Sequence, residues 1–530
     1  MNIEPTFMKP ENRFREMINL DFVFQPCVFL PSEDNEFPKG EFINPEKAKA
    51  LLGNYKIDVV FYSKDFKIVD TAKDLGRYGA VVKITAQDGI EYIRYRTLFR
   101  CEETKPILVD DPLEGTILFP KYLGLDYSIW KNQSQTINTF ITAAIERDKN
   151  RSHEFAILLS GLSEIDSDCQ SLSQLDSAIT RDRRWWLKLK QKINGSESRV
   201  SEIPVNTRTE NSISFPLLIE GTENTAGMES GVIQKLDKIL NTWLEESSEP
   251  FNVCVARKGI LFFNQGYGKR NGEPVTPDTK HLVYSITKAI SGTLFMIFVE
   301  KGLVKLDDPV SNILPQFSDK KIETPVTFRH LFTHTADMDE HFTDTWNDLE
   351  QIYGEAYPYL NIGREHRYNG TSIGIALKAL EYITGMTLPD LYQKYLFGPL
   401  GCQSIESIDG SALTWSNAYD LAIIGQMLCN RGTYNKYLFF SEEKFGQMLP
   451  QKLNSILGPN TDITWGIGLT EFKEGGLDKK TIGHGSASSC TLRVDLKNEL
   501  VISMTRARAG ENFENNHEKF ISAITSSIIN

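Results

Sequence analysis

The sequence predicts an α+β protein in which a β-rich N-terminal accessory domain precedes a C-terminal domain built on one antiparallel sheet. Three observations support this prediction. Apolar runs with strand character fill residues 56–100, and a helix and a strand pair follow residue 231. A second strand pair and a closing helix end the chain, after a long stretch with helical periodicity. This order favours a sheet completed by both ends of a domain, flanked by helices and interrupted by a helical subdomain.

The chain is long enough for more than one domain. At 530 residues, about two or three domains are expected. The segment from about residue 194 to 231 is rich in Ser, Thr, Asn, Glu and Gly, which is typical of a boundary. We therefore predict an accessory domain over residues 1–200, a linker over 201–230 and the C-terminal domain over 231–530.

The N-terminal strands are predicted from apolar runs that end at turn residues. Three such runs are 57–62, 79–84 and 92–99. The Asp88-Gly89 pair between the last two is a hairpin signal. Residues 131–147 and 172–193 have a helical pattern. The second of these contains Trp185 and Trp186 among basic residues, and we interpret it as a helix with a buried aromatic face and a solvated basic face rather than a nucleic-acid or membrane patch.

Composition limits the partners and the compartment. A net charge of −12 argues against nucleic acid or an anionic membrane as partner. Charged residues precede any apolar run at the N-terminus, so no signal peptide is predicted, and no stretch has the length of a membrane span. Seven scattered cysteines, without a Cys-x-x-Cys pair, indicate reduced thiols. We expect a cytoplasmic protein.

The elements of the C-terminal domain follow from periodicity and turn residues. A helix over 233–244 is predicted from its apolar face. A Lys-Gly turn separates two strands, 251–257 and 260–263, and a late strand pair and a closing helix follow. These last elements are predicted at 491–494, 500–504 and 513–528.

The first candidate for chemistry is a Ser-x-x-Lys element, Ser285 to Lys288, which opens an apolar helix predicted to run to about Lys301. Residues three apart share a helix face, so the lysine amine can lie beside the serine hydroxyl and help to take its proton. A serine at a helix start also feels the positive end of the helix dipole, which favours the alkoxide.

Two further motifs follow in order. Tyr368 lies in the segment Arg367–Gly374, and a Gly-rich segment, Ile482–Ala487, precedes the late strand pair. A serine with a lysine, a tyrosine and a strand edge that offers a backbone N–H are the parts that acyl transfer needs.

With these residues the chain resembles the class C β-lactamase-like serine hydrolases, a family that includes penicillin-binding esterases, D-amino-acid peptidases and acyltransferases. The resemblance covers roughly residues 230–530 and implies a β-lactamase/transpeptidase-like fold. It includes further segments in the family's order: Tyr284–Lys288, Glu300–Pro309, His330–Thr335, Tyr382–Gly385, Asp420–Ala422 and Trp465–Gly468.

The resemblance implies a role for each site residue. Ser285 would be the acylated nucleophile and Lys288 its proton partner. Tyr368 would activate the serine and protonate the leaving group. His484 would occupy the first position of the third motif, followed by Gly485, Ser486 and Ala487, and Ala487 would supply an oxyanion-hole N–H together with Ser285. No metal or organic cofactor is implied.

Two departures from the family pattern, together with the histidine of the third motif, concern the substrate. The second motif is normally Tyr-x-Asn, but Gly370 stands where that asparagine contacts the substrate amide. Ser486 replaces a usual glycine, which would narrow the strand edge. A largely neutral His484 would anchor a substrate carboxylate less well than lysine. Together they favour an ester, amide or peptide substrate over a β-lactam.

Two other interpretations remain beside a serine hydrolase or acyltransferase. A non-catalytic binding or scaffold protein is suggested by Gly370 and Ser486, although such a protein would not need the serine, lysine and tyrosine together. A zinc site is suggested by His330 and His334, four residues apart on a predicted helix, but the Glu of a His-Glu-x-x-His motif is missing. The expected partner is a small-molecule or peptide substrate, whose specificity would come from loops such as 336–366. Three roles stay open for the N-terminal domain: shaping the substrate cleft, joining protomers into an oligomer, or binding a partner.

Overall fold

The computed structural model describes most of the C-terminal half of the chain and parts of the N-terminal half. The described residues are 27–31, 55–70, 76–101, 106–110, 116–120, 183–193, 203–204, 217–270, 272–318, 324–338 and 346–529. The helix predicted at 131–147 lies outside these residues. Of the helix predicted at 172–193, residues 183–193 are described, and they are helical.

The chain divides into two compact units, and each is formed from separate segments. The first unit consists of Met1–Ser198, Leu314–Glu323 and Glu340–Leu360. The second consists of Arg199–Ile313, Thr324–Asp339 and Asn361–Asn530. The predicted boundaries at residues 200 and 230 stay a prediction, and the sequence did not indicate that two later segments would join the first unit.

The first unit contains the predicted N-terminal β-structure. Among the described residues, five strands form one sheet, in the spatial order Cys27–Pro31, Glu91–Cys101, Gly76–Thr85, Lys56–Ser63 and Ile68–Val69. The first pair is parallel and the others are antiparallel. Gly89, at φ +84°, completes the predicted hairpin turn. A separate antiparallel pair joins Pro106–Asp110 to Thr116–Pro120.

The helix at 183–193 buries Trp186, Leu187 and Leu189 within the first unit. A side chain at Gly79 would meet Trp185 at 2.4 Å, so only glycine lets the strand approach this helix closely. The predicted aromatic face is therefore present. The predicted solvated basic face is only partly correct, because Lys188 is exposed whereas Lys190 is buried.

A second helix of the first unit, Leu349–Ala356, comes from the later part of the chain. Its Glu350 forms an ion pair with Lys190 at 2.6 Å, and its Glu355 forms one with Arg94 at 2.8 Å. The carboxylate of Asp348, just before the helix, accepts the backbone N–H of Tyr95 at 2.8 Å. Three carboxylates thus attach this helix to the sheet and to the helix at 183–193.

The second unit contains the predicted antiparallel sheet. Among the described residues it has seven strands, in the spatial order Thr470–Phe472, Thr481–Gly485, Thr491–Asp495, Leu500–Arg506, Phe251–Arg257, Ile260–Tyr267 and Ile219–Glu220. Neighbours are antiparallel except the last pair. Lys258 and Gly259, both at positive φ, form the predicted Lys-Gly turn. Strands from both ends of the domain meet at the centre of the sheet, which confirms the predicted fold class.

Helices cover both faces of this sheet. Val232–Ser247 and Phe513–Thr525 pack together on one face, where Leu236, Trp243 and Phe520 enter the hydrophobic core. Ala418–Cys429 packs against the central strands, and the helix Ile286–Glu300 packs against Thr481–Gly485. The latter helix, which we call the serine helix, is buried on all sides. This packing brings the first and third motifs together.

Apart from the helix Thr371–Thr384, the remaining elements are short. The other helices are Val310–Asn312, Pro315–Phe317, Phe328–Phe332, Tyr357–Tyr359, Thr371–Thr384, Leu388–Tyr392, Gln393–Phe397, Gly398–Leu400, Glu442–Met448 and Asn454–Leu457. The other strands are Lys269–Arg270, Glu273–Pro274, His281–Leu282, Glu406–Ser407, Thr414–Ser416, Thr433–Tyr434, Tyr437–Leu438, Gln451–Lys452 and Thr464–Trp465. Within the described ranges, no helix has both the length and the apolar character that crossing a membrane requires.

Candidate active site

Ser285 lies at the N-terminus of the serine helix and is almost fully buried. Its hydroxyl does not cap the helix. Instead, Oγ accepts a hydrogen bond from Lys288 Nζ at 3.2 Å. The preceding residue, Tyr284, has a φ of +44°, a conformation that non-glycine residues rarely adopt and that tends to occur at functional sites. The hydroxyl is therefore available for chemistry and not used for helix capping.

Lys288 is only 2% exposed, and its three contacts are uncharged. Nζ donates to Ser285 Oγ and, at 3.0 Å, to the carbonyl of Ser411. It also lies 4.8 Å from the centroid of the Tyr368 ring. Within the described part of the chain, no carboxylate forms an ion pair with this lysine. A buried amine with only neutral partners is suited to exchanging a proton with a neighbouring hydroxyl.

The carbonyl of Ser411 is held in place by a tight loop. One oxygen of the Asp409 carboxylate accepts the backbone N–H groups of Ser411, Ala412 and Leu413, at 3.1, 2.9 and 2.7 Å. The neighbouring carbonyl of Gly410 accepts the Ser291 hydroxyl at 2.6 Å. This loop was not predicted as part of the site, because an Asp-Gly-Ser segment is a common turn pattern without a distinctive chemical signal.

Tyr368 lies just before the helix Thr371–Thr384, and its side chain is 39% exposed. Its ring is near Lys288, as described above, and its centroid lies 6.3 Å from that of His484. No hydrogen bond joins its hydroxyl to Ser285 or Lys288, all three being described residues. Tyr368 therefore approaches Lys288 through its ring and not through its hydroxyl.

The two residues after the tyrosine belong to the start of the helix. The Asn369 side chain accepts the backbone N–H of Ser372 at 2.9 Å and donates to the carbonyl of Arg367 at 2.8 Å. Asn369 is buried, so both ends of its amide are already used. Gly370 occupies the N-cap position and has no side chain to offer. The contact that the family's asparagine makes with a substrate amide is therefore not replaced by Asn369.

His484 lies in the strand Thr481–Gly485 and is buried. Burial, and next the charge of Lys288, lowers the pKa of His484 to about 3, so the ring is neutral at physiological pH. Its Nδ1 donates to the carbonyl of Gly485 at 2.6 Å. The ring thus adds no positive charge at the position where the family often has lysine.

Ser486 and Ala487 follow the end of this strand. The Ser486 hydroxyl accepts the backbone N–H of Cys490 at 3.0 Å and lies 2.9 Å from the hydroxyl of Ser488. It is therefore turned into the loop that leads to the next strand. Ala487 is exposed in the same turn. Its role as an oxyanion-hole donor stays a prediction.

Three aromatic residues near Tyr368 were not predicted as site residues. His334 and Trp465 have ring centroids 4.7 and 5.7 Å from that of Tyr368, and His366 lies 5.0 Å from Trp465. Burial, followed by the charge of Lys288, lowers the pKa of His334 well below 6.5. His334 and Trp465 each lie in a segment that supported the family resemblance, but that resemblance gave them no role.

The zinc interpretation assumed that His330 and His334 share a helix face, and this assumption is wrong. The helix Phe328–Phe332 ends before His334, whose φ is +56°. His330 Nδ1 accepts the backbone N–H of Thr327 in a capping box. Among the described residues, no group of three or more His, Cys, Asp or Glu side chains could hold a metal ion.

Comparisons with known proteins place this site in context. Residues 249–522, more than half of the chain, match the family model for beta-lactamase. The chain is similar to the teichoic acid D-alanine hydrolase of Staphylococcus aureus, with 27% identity over 178 residues that cover 32% of this chain and 43% of that protein. It is also similar to the acyltransferase calJ of Penicillium decumbens, with 36% identity over 126 residues that cover 17% of this chain and 30% of that protein. The matched region thus spans less than half the length of these curated relatives.

Solved structures include two similar chains. One is a penicillin-binding protein homologue from Caulobacter crescentus, with 16% identity, a TM-score of 0.49 and coverage of 57% of this chain and 99% of that chain. The other is EstCE1, described as a hydrolase with promiscuous acyltransferase activity, with 16% identity, a TM-score of 0.46 and coverage of 56% and 98%. At this identity, neither likeness says anything about the activity of this chain.

Proposed function

Because the chain belongs to the beta-lactamase family, we propose that it is a serine hydrolase or acyltransferase that acts on an ester, amide or peptide bond through an acyl-enzyme on Ser285. One observation supports this proposal most directly. Lys288 donates to the Ser285 hydroxyl at 3.2 Å, and its other contacts are neutral. A structural lysine would be expected to pair with a carboxylate when buried to this extent.

Acylation would begin when Ser285 Oγ attacks the carbonyl carbon of the substrate. The hydroxyl proton passes to the Lys288–Tyr368 pair, and the carbonyl oxygen becomes an oxyanion that accepts the backbone N–H groups of Ser285 and Ala487. Tyr368 then protonates the leaving alcohol or amine as its bond to the carbonyl carbon breaks. The exposed position of the tyrosine supports this role, because its hydroxyl can reach a bound substrate.

Deacylation would decide between hydrolysis and transfer. Water, activated by the same pair, attacks the acyl-enzyme in a hydrolase and releases an acid. In an acyltransferase, an alcohol or amine attacks the acyl-enzyme instead. The acyl group passes to it as a new ester or amide, and the serine hydroxyl is restored. The name of the Staphylococcus aureus relative favours hydrolysis, and that of the Penicillium decumbens relative favours transfer.

The absence of a positive charge at His484, in the third motif, supports an ester or amide substrate over a β-lactam. A β-lactam antibiotic presents a carboxylate, for which a lysine at this position would be a strong partner. The neutral ring of His484 provides a hydrogen-bonding group without that charge. Gly370 has no side-chain amide to contact the substrate. Both features favour a substrate that is recognised neither by a cation nor by an asparagine at these positions.

A fluorophosphonate probe tests the proposal directly. We expect intact-protein mass spectrometry to show one adduct, mapping to Ser285 and absent in Ser285→Ala. The matched control is Ser526→Ala, which changes an exposed serine outside the site and should label like the wild type. If the folded wild type stays unlabelled, the acyl-enzyme proposal is overturned, and the interpretation as a binding or scaffold protein is favoured instead.

A further inference from the structure

His334 contacts the segment around Tyr368 through three separate groups. Its backbone carbonyl accepts the N–H of Arg367 at 2.8 Å. Its ring Nδ1 accepts the N–H of Asn369 at 3.4 Å. Its ring centroid lies 4.7 Å from that of Tyr368 itself. One residue therefore holds the backbone on both sides of the tyrosine and packs against its side chain.

The backbone of His334 is in an unfavourable conformation, which allows its carbonyl and its ring to contact the same segment. Its φ of +56° lies in the left-handed region, where a side chain with a Cβ is disfavoured. Such a conformation persists only where the surroundings hold it, and it is typical of functional positions. Here the reversal after the helix Phe328–Phe332 directs both the carbonyl and the ring towards the tyrosine segment.

The ring of His334 is fixed in one protonation state. The side chain is 1% exposed, and the groups that face it include Lys288, His366 and His484. Because it stays neutral and Nδ1 accepts a hydrogen bond, the ring proton must be on Nε2. That N–H has no hydrogen-bond partner among the described residues. Trp465, whose ring is nearly perpendicular at 5.1 Å, packs beside it.

Tyr368 itself is contacted at its ring and not at its hydroxyl by the residues of the site. The ring lies near Lys288, Trp465 and His484, whereas the hydroxyl makes no hydrogen bond to the serine or the lysine, and 39% of the residue is exposed. The backbone at Arg367 and Asn369 therefore contributes to the position of the phenol. Both of those backbone N–H groups are bound by His334.

We propose that His334 is the positioning residue for Tyr368, which it holds in place for proton transfer by binding the backbone on both sides of it. This inference rests on the proposed function, in which Tyr368 transfers the proton. It assigns a role to a residue that touches neither the nucleophile nor its lysine through a hydrogen bond.

Two substitutions at this position separate the ring from the backbone. In His334→Gly the left-handed conformation is retained without strain, but the ring acceptor is lost. In His334→Asn the side-chain oxygen takes about the place of Nδ1, and asparagine tolerates positive φ better than most residues. The two variants therefore differ mainly in whether the Asn369 N–H keeps an acceptor.

Hydrogen exchange resolved to single amides tests the contact without any assay of activity. In His334→Gly we expect faster exchange at Asn369 than in the wild type, while Arg367 stays protected because its acceptor is the backbone carbonyl. In His334→Asn we expect both amides to stay protected. Equal exchange at Asn369 in the wild type and in the folded glycine variant would overturn the proposal.

Steady-state hydrolysis of a p-nitrophenyl ester tests the consequence. Misplacing a catalytic group by about 1 Å costs about 10²-fold, so we expect kcat of His334→Gly to fall by about 10²-fold with little change in KM. The asparagine variant should recover most of that loss. If it recovers none while both variants are folded, the positioning role is wrong. If the wild type itself shows no turnover that depends on Ser285, the proposed function fails, and the exchange experiment still decides whether His334 holds this segment.

Discussion

Two lysines of this protein are buried to the same extent but have different partners. Lys190, in the first unit, is 3% exposed, and Lys288, in the second, is 2% exposed. Each Nζ lies over a tyrosine ring, at 4.2 Å for Lys190 and 4.8 Å for Lys288. Lys190 also forms an ion pair with Glu350 at 2.6 Å. Lys288 instead donates to a hydroxyl and a carbonyl.

The difference in partners indicates that the charge of Lys190 balances a carboxylate, whereas that of Lys288 does not. An ion pair within a core balances two charges, and removing one of them leaves the other without compensation. A lysine whose partners are all neutral balances no buried carboxylate. Burial alone therefore does not separate these two lysines, whereas the charge of their partners does.

Replacing Lys288 by methionine should produce the largest effect, on activity. The apolar stem is kept, but the amine that we propose as the acceptor of the serine proton is lost. General acid–base groups contribute about 10²–10⁴-fold, so we expect kcat/KM for a p-nitrophenyl ester to fall by that factor. The free energy of unfolding should change little, because no charged partner is left behind. Wild-type activity in this variant would show that Lys288 is not the proton partner.

Replacing Lys190 by methionine should have the opposite profile. Glu350 would lose the Lys190 amine from its buried ion pair, and breaking such a pair typically costs about 3–5 kcal/mol. We expect chemical denaturation to show this loss, while the folded fraction keeps its kcat. The double variant Lys190→Met with Glu350→Gln is the control, and it should recover most of the stability. A loss below about 1 kcal/mol in the single variant would contradict this account of the pair.

Acid should destabilise the region around Lys288 through its histidines. Because burial and the nearby lysine lower the pKa of His484 to about 3, the unfolded chain binds a proton below about pH 6.5 that the folded chain does not bind. The stability is complete above pH 6.5 and falls as the pH drops towards 3, by about 2 kcal/mol at pH 5 for this one residue.

Chemical denaturation at pH 7.5 and pH 5 measures this effect. In His484→Gln the difference between the two free energies of unfolding should be smaller than in the wild type by about 2 kcal/mol. An unchanged difference would mean that the buried ring does not resist protonation. Ser526→Ala serves as the comparison, since it changes an exposed side chain that does not titrate.

The smallest effect is expected from a change in the loop around Asp409, which holds the Ser411 carbonyl, the second hydrogen-bond acceptor of Lys288. Asp409→Asn removes the charge but keeps an oxygen for the three N–H groups. Weakening such a hydrogen bond costs about 0.5–1.5 kcal/mol, so we expect kcat to fall by no more than about tenfold as the Ser411 carbonyl shifts. A loss as large as that of Lys288→Met would instead indicate that Asp409 acts in the chemistry.

Local patterns were sufficient to predict much of the fold. The hairpin 251–263, the strands around residue 500 and the closing helix follow from periodicity and turn residues, which act over a few positions of the chain. The order of the three motifs along the chain was enough to indicate the family. The beta-lactamase match and the β-rich first unit confirm these predictions.

Contacts between distant parts of the chain could not be predicted in this way. The ion pair of Lys190 joins positions 160 residues apart, and nothing local distinguishes Glu350 from a solvated glutamate. His334 was considered only as a metal ligand, because its positive φ and its contacts with the tyrosine segment arise from tertiary structure. The roles predicted for Ser285, Tyr368 and Ala487 await the experiments described above.

The helix Leu349–Ala356 has a consequence for how the protein is made. Synthesis proceeds from the N-terminus, and domains generally fold as units once they have emerged. The first unit cannot be completed early, because Glu355 and Glu350, which pair with Arg94 and Lys190, belong to this later helix. These two ion pairs can form only after the serine helix and the segment beyond it have been translated. Even after residue 198 has emerged, the nascent chain therefore still has two cations without the carboxylates that pair with them in the folded protein.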